Sequence, residues 1–197
     1  MRYIILLFTF LITLSLYSQT EEKLKTIQFG GALNSNAKRA TRSICLAPTG
    51  FLSLNRHQIE LGLGFYPFDY DPSRTIEIES NYKYFPNGRE AKFSLFFLAN
   101  LTYNNSSRNT PNAYNTVHTT HNLLSLMGGY GFELKVMKRA YLAPSINFGI
   151  FTEGRKSTSS DENSNYKMFE GFGIDGGIRL HFGYRFSKML TDSKPEQ

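Results

Sequence analysis

Phe93-Ser94-Leu95-Phe96-Phe97-Leu98-Ala99-Asn100-Leu101-Thr102-Tyr103 is the stretch whose reading decides the fold. Taken two at a time, Phe93, Leu95, Phe97, Ala99, Leu101 and Tyr103 share one face. Ser94, Phe96, Leu98, Asn100 and Thr102 share the other. Side chains of a β-strand alternate between faces, so this segment is a strand with one greasy side and one mixed side.

The same period recurs on both flanks. Ile59, Leu61, Leu63 and Phe65 oppose Gln58, Glu60, Gly62 and Gly64, and Ile76, Ile78, Tyr82 and Tyr84 oppose Glu77, Glu79, Asn81 and Lys83. Further on, Leu124, Leu126, Tyr130, Phe132 and Leu134 oppose Ser125, Gly129, Gly131, Glu133 and Lys135. Leu142, Ile146, Phe148 and Ile150 face away from Ser145, Asn147 and Gly149. The last segment sets Phe172, Ile174, Ile178, Leu180, Phe182, Tyr184 and Phe186 against Asp175, Arg179, His181 and Arg185. Stretches near Thr26–Asn34 and Ser43–Leu54 follow the period less strictly, Pro48 and Gly50 interrupting the second. That makes eight strands.

The connections alternate in length. Asn55–His57, Pro86–Glu90 and Met137–Arg139 are short; Ser35–Arg42, Asp69–Arg74, Asn104–Thr119 and Glu153–Asn165 are longer and polar. Short turns on the periplasmic side and long loops outside are the pattern of a transmembrane β-barrel. The expected fold is therefore an all-β, eight-stranded antiparallel up-and-down barrel, with both termini periplasmic. The chain has 17 Phe, 12 Tyr and 16 Gly, and nothing after residue 18 keeps a helical period. Cys45 is the single cysteine, so no internal disulfide holds the fold.

Residues 1–18 read as a cleavable export signal: Arg2, an apolar run from Ile4 to Leu16, then Tyr17 and Ser18 before Gln19. That run is shorter than the roughly 20 residues a membrane helix needs. Losing Arg2 takes the formal charge from +6 to +5. The barrel is read as 19–186, and 187–197 as a polar periplasmic tail.

The signal, the glycine-rich aromatic strands and the closing Gly176-Gly177-Ile178-Arg179-Leu180-His181-Phe182-Gly183-Tyr184-Arg185-Phe186 resemble the small outer-membrane β-barrel domain family, porin-like proteins of Gram-negative bacteria. The resemblance is one of pattern over nearly all of the mature chain. It implies the fold and the outer membrane as location, without a single shared activity. It also implies a partner, the outer-membrane assembly machinery, which reads a terminal aromatic; Tyr184 and Phe186 match that signal, although Ser187–Gln197 come after them.

Several motifs have a plainer reading. Gly171-Phe172-Gly173-Ile174-Asp175-Gly176 matches a dinucleotide fingerprint, but the chain continues from it as a strand, where that chemistry needs a helix. Glu60, Glu77, Glu79, Lys83, Glu133, Lys135, Asp175, Arg179, His181 and Arg185 fall on the inner faces, and are read as an ionic network filling the lumen rather than as an acid/base site. His118 and His121, three apart on a strand, face opposite ways, which is poor geometry for a metal. No serine, histidine and acid stand at a spacing that identifies an enzyme. No cofactor is expected, and the dispersed Lys and Arg do not suggest nucleic acid.

Lys38, Arg39 and Arg42 gather in the first long loop, where they could contact lipid phosphates, including those of lipopolysaccharide. The functional expectation is a structural or surface-interaction barrel. The alternatives are a small porin and a soluble lipocalin-like carrier, because alternation alone does not say which face is outside.

Overall fold

The computed structural model describes residues 25–38, 44–67, 74–111, 116–159, 162–163 and 167–191. Residues 1–18, read as an export signal, and Arg39 and Arg42 lie outside them. Among the described residues there are no helices. Eight long strands run in chain order: β1 (Lys25–Lys38), β2 (Ile44–Leu54), β3 (His57–Gly64), β4 (Arg74–Tyr84), β5 (Phe93–Pro111), β6 (Thr116–Lys135), β7 (Ala140–Ser159) and β8 (Lys167–Thr191). A two-residue piece, Glu162–Asn163, pairs with the end of β7. Each strand pairs antiparallel with the next, and β8 returns to β1, from Lys25↔Thr191 to Lys38↔Gly177. The sheet thereby closes into a barrel, in which backbone groups find partners on both sides of each strand.

The two irregular segments are continuous strands with local lapses. Pro48 has no N–H to donate. The β2–β3 ladder accordingly runs from Thr49↔Gly62 towards the turn, skips two rungs, and resumes as a single bridge, Leu46↔Phe65, with both backbone bonds at 2.9 Å. Pro144 does the same in β7: the β6–β7 ladder passes from Gly131↔Ser145 to Leu134↔Leu142 without the rungs between.

The short turns sit where the sequence placed them. Asn55 takes a positive φ of 51° between the paired Leu54 and His57. After β4, Phe85 accepts from Gly88 N at 3.1 Å across Pro86-Asn87, and Gly88, with φ 72°, supplies the left-handed step such a turn requires.

The long connections differ from expectation. Most of Asn104–Thr119 is hairpin, paired rung by rung from Asn104↔Leu123 to Pro111↔Thr116. β1 reaches Lys38 and β7 reaches Ser159. Beyond the bilayer both faces of a strand meet water, so alternation fades while backbone pairing continues. β8 likewise pairs with β1 as far as Thr191, taking in the first residues of the stretch read as tail.

The alternation resolves with its apolar face outward. Leu61, Leu63, Phe148, Phe172 and Ile174 are exposed, whereas Glu60, Glu79, Lys83 and Arg179 are buried inside. A soluble carrier needs the reverse arrangement, apolar cavity and polar coat, so the lipocalin-like alternative is set aside.

Candidate functional site

The lumen gathers the chemistry of this chain, and it is layered along the barrel axis. Nearest the short turns lies an aromatic layer of Phe51, Phe85, Phe96 and Tyr141, all buried, with Leu98 and Ala143. The rings of Phe51 and Tyr141 meet edge-on at 6.0 Å, and those of Phe85 and Phe96 are tilted to one another at 5.5 Å.

Each strand-borne ring of the layer stands over a glycine directly opposite on the next strand: Phe51 over Gly30, Phe96 over Gly131, Tyr141 over Gly183. Phe151 over Gly173 repeats the arrangement further along β7. A Cβ on any of these glycines would run into the ring it faces. An eight-stranded lumen is narrow. It admits a large ring only where the neighbouring strand offers no side chain.

Cations cap the aromatic layer. The guanidinium of Arg89 lies 4.4 Å from the centre of Phe85, that of Arg185 4.7 Å from Tyr141, and the ammonium of Lys83 5.1 Å from Phe96. Arg89 and Arg185 both engage the carboxylate of Glu133, Arg89 at 3.1 Å. Arg89 comes from the turn after β4, outside any strand, and reaches inward to donate to Ser53 as well.

The middle of the lumen is polar and continuous. Ser53 donates to Gln58 at 3.0 Å, and Gln58 donates to Glu60. Lys83 donates to Glu60 at 2.6 Å and to Nδ1 of His181 at 3.2 Å. The same Nδ1 of His181 lies 3.6 Å from the Glu60 carboxylate, so Lys83, Glu60 and His181 form one cluster. Asn81 donates to Glu60 at 3.2 Å and accepts from Asn100 at 2.7 Å and from Arg179. Thr102 donates to Asn100 at 2.9 Å. Glu79 accepts from Asn34 and sits 3.3 Å from Arg179. Lys83–His181 and Asn81–Arg179 join β4 to β8, two strands that are not neighbours in the sheet, so these bonds cross the lumen.

Towards the long loops, Glu77 accepts from the hydroxyl of Tyr66, which in turn accepts from Asn104 at 2.6 Å. Burial, reinforced by the Glu77 carboxylate, pushes the Tyr66 phenol far above its ordinary range, keeping it a donor. Asp175 accepts from the backbone N–H of Gly176 at 2.8 Å. The β1–β8–β7 side is less tightly knit: the buried amides of Asn36 and Asn147 have no protein hydrogen-bond partner among the described residues.

The structure therefore places Glu60, Glu77, Glu79, Lys83, Glu133, Asp175, Arg179, His181 and Arg185 inside, all buried. Lys135 differs. It lies at the last residue of β6, half-exposed, with its ammonium on the carbonyl of Glu90 at 2.6 Å. Tyr184 and Phe186 face outward near the short-turn end, their rings 5.7 Å apart. Lys38 closes β1, and His121 lies within β6, exposed. The fingerprint-like glycines at 171, 173 and 176 are in mid-strand.

Sequence reasoning missed Arg89, Phe85 and Tyr66, which stand in turns where period-two alternation has no purchase. It put the neutral Asn81 and Asn100 on the inner faces without assigning them to the network, and gave Asn34 no role. The glycine opposite each ring was a signal for the aromatic layer, readable once the strand register is known.

Several solved structures resemble this one. A major outer membrane protein from Thermus thermophilus matches with a TM-score of 0.52 at 12% identity, over 84% of this chain and 100% of that one. Neisserial surface protein A matches at 12% identity with a TM-score of 0.46, over 84% of this chain and 100% of that one. No protein-family model and no curated protein matches the chain. The architecture is that of the eight-stranded outer-membrane barrels. An apolar exterior around an ionic interior sets the wall in a bilayer, and closed barrels of this build are outer-membrane structures. The protein is an outer-membrane β-barrel.

Proposed function

We propose that this barrel is a closed scaffold, not a conduit and not an enzyme: side chains fill its lumen, and its interactions are made by the wall and loops that rise beyond the bilayer. The observation that carries the reading is the chain of bonds across the lumen, Lys83 to His181 and Arg179 to Asn81, stacked on the aromatic layer beneath. The two carboxylates best spaced for acid/base work, Glu77 and Glu79, are engaged with Tyr66 on one side and with Arg179 and Asn34 on the other.

On this reading the partners are outer-membrane lipid, with Lys38, Arg39 and Arg42 offered to lipid or lipopolysaccharide phosphates, and the assembly machinery, through Tyr184 and Phe186. Planar-bilayer recording of the refolded protein tests the scaffold. The expected record is a flat baseline. Steady unitary conductance would overturn the reading in favour of a small porin.

A further inference from the structure

Among the described residues the exterior aromatic contacts are not spread evenly over the wall. His57 with Tyr82 and Tyr84, Phe93 with Phe132, Tyr184 with Phe186, and Phe29 with Phe186 all lie at the short-turn end, with centroids 5.0 to 6.1 Å apart. Aromatic belts mark the level of lipid headgroups, so the short turns project from the bilayer at headgroup depth.

The charges just beyond this belt are one-sided. Among the described turn residues the exposed charges are Arg56, Lys92, Lys138 and Arg139 against Glu90. Three of these cations belong together. Lys135 N donates to the carbonyl of Lys92 at 2.9 Å, which sets the end of the β4–β5 turn beside the β6–β7 turn carrying Lys138 and Arg139.

The tip of that second turn is apolar. Val136 and Met137 are 55% and 70% exposed, above the outward rings of Phe93 and Phe132. An exposed methionine beside exposed cations at a turn tip is ill suited to open water. It suits an interface that offers phosphate above and acyl chain below.

We propose that the β5–β6–β7 edge of the short-turn end is a headgroup site for an anionic phospholipid. Lys92, Lys138 and Arg139 contact its phosphates, and Val136, Met137, Phe93 and Phe132 lie against its glycerol and upper acyl carbons. Lys135, tied to the Glu90 carbonyl, flanks the site, and the exposed Glu90 is the nearest like-charged group that the ligand must tolerate.

The test is native mass spectrometry of the full mature chain released from mixed micelles of phosphatidylglycerol and phosphatidylcholine. Wild type should retain phosphatidylglycerol preferentially. The combined Lys92→Gln, Lys138→Gln, Arg139→Gln variant should lose that preference by about fivefold for each cation removed. A control with Arg155→Gln and Lys156→Gln, exposed at the opposite end, should keep it. Both variants are checked for a folded band that shifts on boiling.

An unchanged preference in the folded triple variant would overturn the site. So would equal loss in the control, or displacement of the lipid by inorganic phosphate alone, since acyl contacts would then contribute nothing. Retention of an acidic protein in place of lipid from an extract, with no phosphatidylglycerol preference, would also overturn it.

Discussion

At the scale of single residues, the glycine beneath each ring decides how much the narrow lumen can hold. Gly183 faces Tyr141, and a methyl group there has nowhere to go, because the obstacle is the flat of a buried ring rather than a flexible tail. Gly183→Ala should therefore cost about 1–3 kcal/mol of stability through overpacking. Gly50→Ala is the matched control, since a Cβ at Gly50 meets nothing within 4 Å, and it should fall within ~0.5 kcal/mol of wild type. Urea titration of the protein folded in lipid vesicles, followed by circular dichroism, reads both, and equal midpoints would discard the ring-over-glycine account.

Glu133 is the other residue on which much converges. It is the shared acceptor of Arg89 and Arg185, so Glu133→Ala strands two buried guanidinium groups and should cost about 3–5 kcal/mol. Arg89→Ala leaves Arg185 in place and should cost less in the same titration. The order of the two variants, more than either size, tests whether Glu133 is the hub.

At the scale of elements, the barrel is taller on one side. β2, β3 and β4 have 11, 8 and 11 residues, close to the 9–11 that a tilted strand needs to cross a bilayer. β5, β6, β7 and β8 have 19, 20, 20 and 25. Apart from the last residues of β8, which run past the short-turn end to Thr191, the excess stands on the long-loop side, and because that part lies beyond the apolar band the membrane-spanning fold should not need it. Replacing residues 108–119 with Asn-Gly, so that Ser107 and Thr120 flank a tight turn, should leave a chain that still folds into vesicles. Its unheated and boiled bands on a gel should still differ. Loss of the fast-running unheated band would mean that the raised hairpin is part of the fold's foundation.

The same asymmetry explains what the sequence made legible. Within the bilayer one face meets lipid and the other meets the lumen, and the contrast writes itself as alternation; Ile59 to Phe65 and Ile76 to Tyr84 were readable for that reason. Beyond the bilayer the contrast between faces is lost: Asn105 to Ser107 pair rung by rung with Asn122 to Thr120 but are small and polar one after another, so a ladder of paired backbones looks like a loop. In the turns, alternation has no meaning, so Arg89 and Phe85, which complete the ionic and aromatic layers, left no trace. Pro48 misled in the opposite direction, since it costs two ladder rungs without ending its strand.

For the molecule as a whole, the two sides of the wall make contradictory demands on solvent, and only an amphiphile meets both. Phe172 and Ile174 are 76% and 82% exposed, and every strand carries large apolar side chains facing outward. Soluble monomers rarely show a contiguous apolar patch beyond a few hundred Å², and here the band encircles the barrel. Turning the sheet inside out would bury that band, but it would also pull Glu60 from Lys83 and Glu79 from Arg179. The fold therefore cannot escape into water by rearrangement. Chain unfolded in urea and diluted into buffer alone should form no closed barrel and should precipitate. Dilution into detergent micelles or short-chain phosphatidylcholine vesicles should restore strand circular dichroism and the mobility shift on boiling. A folded monomer recovered from the buffer with no amphiphile present would mean that lipid does not face the apolar side, and the assignment to the membrane would fall with it.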